Sequence, residues 1–237
     1  MANRILNAVK LDYLTGRSFL ALYPVFFLVG LLIGTLVKMP IFTVVLVIVL
    51  AVFIVGGVFS NQEKNHGEKL YGTLPLRRRD VVVGRYVYGL IIGVAGTVIA
   101  GVLGWLASTI SGADMGQLGP KRATLGGTPG LNHLIFWFAI GFAFAYFCFA
   151  IGVAFPIYFR FGFSKAYIFT MLPLYLVVLI SLLVTRAINP GTIGTSNTVV
   201  FFVDHVYLLP VIGVVLGLVL WSISLAISSR VYAHKEI

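Results

Sequence analysis

The sequence predicts an all-α integral membrane protein, and three observations support this fold class. Hydrophobic residues make up 59% of the 237 residues and charged residues only 10%, a composition typical of membrane proteins. The apolar residues form runs of about 20, the length that a helix needs to cross a hydrocarbon core of about 30 Å. Alternating segments of about ten residues, which are typical of membrane β-barrels, do not occur.

The chain is predicted to form one transmembrane domain over residues 1–237. Residues 3–17 come first, where Ile5, Val9 and Tyr13 recur every four residues among polar side chains, a pattern that predicts an amphipathic helix in the membrane interface. Six apolar runs then predict membrane spans at residues 18–37, 41–59, 86–110, 134–158, 166–185 and 207–229.

A polar segment, residues 61–85, separates the second and third spans. It reads NQEKNHGEKLYGTLPLRRRDVVVGR and contains six basic and three acidic residues. Basic residues that only set the topology would explain its arginines, but they would not explain Glu63, Glu68 or the break at Thr73-Leu74-Pro75. The segment is therefore predicted to be a docking surface, with a short helix over residues 63–71. Asp80 is expected to cap the third span.

The distribution of Lys and Arg predicts the orientation of the chain. If both termini are cytoplasmic, thirteen of the seventeen basic residues lie on the cytoplasmic side and four lie in outer loops. This bias is the one that membrane insertion produces. The net charge of +10 therefore indicates topology rather than nucleic-acid binding. The predicted location is the plasma membrane, with several spans and both termini inside.

The predicted spans contain no Asp, Glu, Lys, Arg or His. An ionisable group at the centre of a membrane helix costs about 2.5–3.5 kcal/mol and is found where a transport pathway needs it, so a proton- or sodium-coupled carrier is not indicated. The sequence also lacks a Gly-x-x-x-x-Gly-Lys-Ser/Thr phosphate loop. The chain is predicted to be a transport subunit without catalytic residues or a metal site, and its energy is expected to come from a partner.

The segment Glu68-Lys69-Leu70-Tyr71-Gly72-Thr73-Leu74-Pro75-Leu76-Arg77-Arg78 resembles the membrane subunits of type-two ATP-binding-cassette (ABC) exporters, in their compact bacterial branch. The six spans, the lead-in helix and the chain length are also similar to that family. The resemblance implies that the segment carries a coupling helix against a separate ATPase. The contact residues that it implies are Glu63, Lys64, Glu68, Lys69, Tyr71, Thr73, Leu74, Pro75, Arg77 and Arg78.

The resemblance further implies the partners and the cargo. Two copies of the ATPase subunit, which bind ATP and Mg²⁺, would act with a second membrane subunit that is either identical or different. The cargo implied is hydrophobic or amphipathic: a peptide, a drug or lipid-like material moved out of the cell. This chain is expected to hold no cofactor of its own and to contact membrane lipid but no nucleic acid.

Two patterns within the spans have two interpretations each. Phe138, Phe142, Tyr146 and Phe149 recur at helical spacing in the fourth span, where they form either an aromatic wall along a substrate pathway or a packing surface toward lipid or core. The Gly pairs 30/34, 89/93 and 213/217 allow helices to approach closely, either within one chain or between subunits. Packing is favoured for both patterns.

Two other classes of protein remain as alternatives. A substrate-binding membrane subunit of an ATP-driven vitamin importer also has six spans, and the polar residues of 111–133 and 186–205 offer material for its ligand site. A membrane enzyme acting on lipid would need a nucleophile or an acid–base set at the interface, and the sequence shows none.

Overall fold

The protein is a bundle of α-helices. The computed structural model describes residues 2–21, 23–65, 78–113, 129–165 and 208–233. These contain α1 (Ala2–Leu20), α2 (Tyr23–Val37), α3 (Pro40–Lys64), α4 (Arg78–Ser111), α5 (Pro129–Phe161) and α6 (Leu208–Ala233). No strand occurs in these ranges, which confirms the all-α prediction for the described part of the chain.

Four of the helices are long and apolar enough to cross a membrane: α3, α4, α5 and α6. They overlap the second, third, fourth and sixth predicted spans and extend beyond them. The fifth predicted span, residues 166–185, lies outside the described residues. The structure therefore establishes a multi-pass membrane protein, and the count of six spans stays a prediction.

The first predicted span, residues 18–37, is divided between two helices. α1 ends at Leu20 and α2 begins at Tyr23, so α2 has only 15 residues. Pro24 explains the division, because its ring would clash with the backbone carbonyl of residue 20 in a continuous helix. A proline in the first turn of the new helix avoids that clash.

A tight turn joins α2 to α3. Lys38 has a φ of 57°, in the left-handed region, and its N–H lies 3.3 Å from the carbonyl oxygen of Thr35. The N–H of Met39 lies 3.0 Å from the carbonyl oxygen of Gly34. These two bonds form a Schellman motif with lysine at the position that glycine usually occupies. Pro40 then begins α3.

Glycines bring the helices of the bundle close together within the chain. A Cβ on Gly217 would lie 3.1 Å from the Cβ of Cys148, and a Cβ on Gly89 would lie 3.1 Å from the Trp221 ring. A Cβ on Gly30 would lie 3.2 Å from the Leu46 side chain. The three Gly pairs therefore contribute to packing inside one chain, which is the favoured interpretation of that pattern.

A polar chain crosses the bundle where Pro156 interrupts the hydrogen bonding of α5. Proline has no N–H, so the carbonyl of Gly152 loses its helical donor. Ser224 Oγ on α6 donates to that carbonyl at 2.6 Å. Since this uses the one proton of Ser224, its oxygen must accept from Tyr86 Oη at 2.6 Å, and Ser228 must then donate to Tyr86 at 2.7 Å. Three hydroxyl groups, each donating one hydrogen bond, thereby join three helices.

Candidate functional site at the basic end of the bundle

One end of the bundle carries most of the described positive charge, and we call it the basic end. There α3 ends, α4 begins, and α5 and α6 end side by side, with the Phe159 and Tyr232 rings 5.2 Å apart. The cations of this end include Lys64, Arg78, Arg79, Arg85, Arg160, Lys165 and Arg230. Among the described residues, the opposite end has only Lys38. This asymmetry matches the predicted bias toward one side of the membrane.

Helix α1 lies against the basic end through a face of small residues. A Cβ on Gly84 of α4 would lie 2.6 Å from the Cβ of Ala8, closer than real Cβ atoms approach. A Cβ on Gly16 would lie 2.8 Å from Tyr88 Oη. Ala8 and Gly16 are two turns apart on one face, which is the face that α1 buries. The predicted helix of residues 3–17 lies within α1, and its place in the membrane interface stays a prediction.

The outward side of α1 is apolar and basic. Leu6 is 62% exposed and Leu14 is 54% exposed, and Lys10 and Arg17 are exposed beside them. Exposed apolar side chains next to cations are typical of a helix at a lipid–water boundary. The residues of α1 that pack on the bundle are thus small or acidic, whereas those on its free face are apolar or basic.

An ion pair is buried between α1 and α4. Arg85 Nε lies 3.6 Å from Asp12 Oδ1, and the two side chains are 6% and 1% exposed. Asp12 lies between Ala8 and Gly16 on the buried face of α1. A buried charge is expensive unless it is paired and hydrogen-bonded, so the pair ties the two helices to one arrangement.

Arg85 also contacts two further helices. A terminal nitrogen of its guanidinium group donates to Gln62 Oε1 on α3. The guanidinium carbon lies 4.3 Å from the centroid of the Phe59 ring on α3 and 5.5 Å from that of Phe159 on α5. Both distances allow cation–π attraction. One side chain therefore contacts α1, α3 and α5 from its position on α4.

The last turns of α3 bond to two other parts of the basic end. Asn61 Nδ2 donates to the backbone carbonyl of Thr15 on α1 at 2.9 Å. Glu63 Oε2 accepts from the backbone N–H of Ser164 at 2.9 Å. Ser164 follows Gly162, whose φ of 81° turns the chain after α5, and the next residues 163–165 are helical. A carboxylate at the start of a helix is favourable because the first N–H groups there lack helical partners.

The predicted docking residues fall into two groups. Glu63 and Lys64 form the exposed end of α3, and Arg78 is the first residue of α4. The others lie outside the described residues: Glu68, Lys69, Tyr71, Thr73, Leu74, Pro75 and Arg77. Asp80, expected to cap the third span, lies in the first turn of α4, because that helix begins at Arg78. The docking segment is thus attached to the basic end of the bundle at both of its termini, Lys64 and Arg78.

The aromatic residues predicted for a substrate pathway lie along α5. Phe142 and Phe149 are 50% and 38% exposed, whereas Phe138 and Tyr146 are half-buried. The Phe138 and Phe142 rings stack with their centroids 6.1 Å apart. Phe142 and Phe149 therefore face outward from the bundle, whereas Tyr146 packs against its core. Its contact with a substrate stays a prediction.

The sequence interpretation missed the cluster around Arg85. It placed Arg85 in the polar segment 61–85 and counted Asp12 among the polar side chains of the amphipathic helix at residues 3–17. One signal was present: Asp12 is the only acidic residue before Glu63, and it shares a helical face with Ala8 and Gly16. The small residues at i−4 and i+4 allow a neighbouring helix to approach that face closely.

These features define a polytopic membrane protein with a reinforced basic end. Residues 9–233 match the family model described as ABC-2 family transporter protein. The chain therefore belongs to the ABC-2 transporter family and is a permease subunit of an ABC transporter, a membrane component that works with an ATPase subunit. No curated protein and no solved structure matched the chain.

Proposed function

We propose that this chain is the membrane subunit of an ATP-driven exporter, with the segment between Lys64 and Arg78 as the docking site of the ATPase. The observation that carries the proposal is the attachment of the last turns of α3. Asn61, Gln62 and Glu63 contact α1, α4 and Ser164 in turn. A force on the docking segment would therefore reach several elements at once.

The proposed mechanism is alternating access. Two ATPase subunits close on ATP and push on the docking segments of two membrane subunits, and the spans tilt to release cargo outward. Moving a two-state equilibrium from 1:99 to 99:1 needs about 5.5 kcal/mol. A docking segment can deliver that much only through a well-packed joint, and the basic end supplies one.

A hydrophobic or amphipathic cargo fits the described spans. Away from the basic end, α3, α4, α6 and residues 136–158 of α5 consist of apolar residues, glycine and residues with hydroxyl groups. Such surfaces suit a peptide, drug or lipid-like molecule better than an ion or a sugar. The basic end is the cytoplasmic side in this proposal, because basic residues are retained on that side.

The test is capture of the ATPase encoded nearest to this chain by the purified membrane subunit in detergent. Wild type is compared with a variant in which Glu63, Lys64, Glu68 and Lys69 are reversed in charge. The matched control is Lys38→Glu, a charge reversal at the opposite end of the bundle. We expect wild type and the control to retain the ATPase and the reversed variant to lose it.

Equal capture by all three proteins would contradict the docking site. Capture by none would contradict energisation by that ATPase. A small ligand co-purifying with the chain in that case would favour the vitamin-importer class of membrane subunit.

A further inference from the structure

We propose that Arg85 is a positioning residue that holds α1 on the bundle, so that movement of the docking segment is passed to α1. This inference rests on the proposed function for the origin of the movement. The holding role itself rests only on the contacts of Arg85 and can be tested without an ATPase.

Through its single side chain, Arg85 on α4 contacts residues of three other helices. From α4 it pairs with Asp12 on α1 at 3.6 Å and bonds to Gln62 on α3. Its guanidinium group lies over the Phe59 and Phe159 rings at 4.3 and 5.5 Å. Gln62 lies two residues before the end of α3, where the docking segment starts. One path from that segment to α1 therefore passes through the guanidinium group, beside the direct bond of Asn61 to the Thr15 carbonyl.

Packing alone offers α1 little hold on the bundle. Among its described side chains, the fully buried ones are Ala8, Asp12 and Gly16, two of which have almost no side chain to bury, while Ile5, Val9 and Leu11 are only partly buried. Small residues permit close approach but remove little apolar surface from their surroundings. Two of the larger apolar residues of α1, Leu6 and Leu14, point away from the bundle. Polar bonds therefore supply an important part of the attachment.

The ATPase-independent test is hydrogen exchange of the full chain in lipid nanodiscs. Arg85→Gln is compared with Arg79→Gln, which makes the same change at an exposed position of the same helix. We expect exchange in residues 2–20 to rise at least about tenfold in Arg85→Gln and to stay unchanged in Arg79→Gln, while α5 and α6 keep their protection. Asp12→Asn should reproduce the effect if Arg85→Gln fails to fold.

Two results would overturn the inference. The first is unchanged hydrogen exchange in α1 of both Arg85→Gln and Asp12→Asn. The control for this result is Gly84→Ala, which displaces Ala8 sterically and should raise the exchange in α1. The second is a rise spread equally over α1, α5 and α6, which would make Arg85 a general stabilising residue instead.

The coupled part uses the complex with the ATPase. Trapping the ATPase with ATP and vanadate should change exchange in α1 of the wild type, but not in Arg85→Gln that still binds the ATPase and hydrolyses ATP. A retained response in that variant would contradict transmission through Arg85. If the wild type captures no ATPase, the proposed function fails. Whether Arg85 holds α1 on the bundle is still decided by the hydrogen exchange of α1 measured without the ATPase.

Discussion

Arg85 Nε and Asp12 Oδ1 lie 3.6 Å apart in a site where neither side chain is more than 6% exposed. The two residues are far apart in the sequence and belong to segments that look solvated when they are read alone. Their pairing makes the N-terminal helix part of the bundle. It also places a charged group beside the segment that is proposed to bind the ATPase.

We expect the effects of substituting Arg85 and Asp12 on the free energy of unfolding to be non-additive. Asp12→Asn or Arg85→Gln should each lower the free energy of unfolding by about 3–5 kcal/mol, because each leaves a buried charge behind. The double variant should lose less than the sum, by about 0.5–3 kcal/mol. Unfolding by SDS titration measures all four proteins of the cycle. Strict additivity would show that the two groups do not interact.

The polar chain at Pro156 leads to a second cycle. Ser224→Ala should cost about 1–3 kcal/mol, because the Gly152 carbonyl is left without a donor. In a Pro156→Ala background the backbone N–H of residue 156 can satisfy that carbonyl, so the same substitution should cost less. Thermal unfolding in detergent distinguishes the two cases. An equal loss in both backgrounds would show that Ser224 does not replace the bond that proline removes.

Two turns with left-handed backbone should respond in opposite directions. Lys38→Gly should raise the free energy of unfolding by about 1 kcal/mol, since a side chain is strained at a φ of 57°. Gly162→Ala should lower it by about 1–2 kcal/mol for the same reason at a φ of 81°. Both are measured by SDS titration, and a shift of the same sign in both variants would contradict the assigned turns.

The docking residues give a functional prediction. Glu68→Lys combined with Tyr71→Ala should leave the chain in the membrane and the ATPase active, but lower the cargo moved per ATP by about tenfold or more, equivalent to about 1.4 kcal/mol. Efflux of a panel of hydrophobic and amphipathic compounds is followed beside ATP hydrolysis. Lys38→Glu serves as the control at the other end. Transport that is unchanged in the double variant would contradict the coupling assignment.

Composition and apolar run lengths were sufficient to predict the helical membrane fold. The Gly pairs likewise indicated packing within the chain. The exact limits of the helices were not predictable in the same way. α3 continues to Lys64 and α4 begins at Arg78, because charged residues at helix ends are tolerated beyond the hydrocarbon core.

The basic end shows what sequence patterns alone do not carry. A count of basic residues on each side of the membrane treats Arg85 and Arg79 alike, yet Arg85 is buried and Arg79 is exposed. The difference depends on which helix packs beside α4, and that is a tertiary fact. The same holds for Glu63, whose carboxylate bonds to Ser164 across 101 residues of sequence.

The most direct measurement places a photoreactive phenylalanine analogue at Tyr71, with Lys38 as the matched control position, in the complex with the ATPase. We predict a covalent adduct with the ATPase from position 71 and none from position 38. No adduct from position 71, or an adduct from position 38 alone, would contradict the claim that the segment between Lys64 and Arg78 receives the energy of ATP.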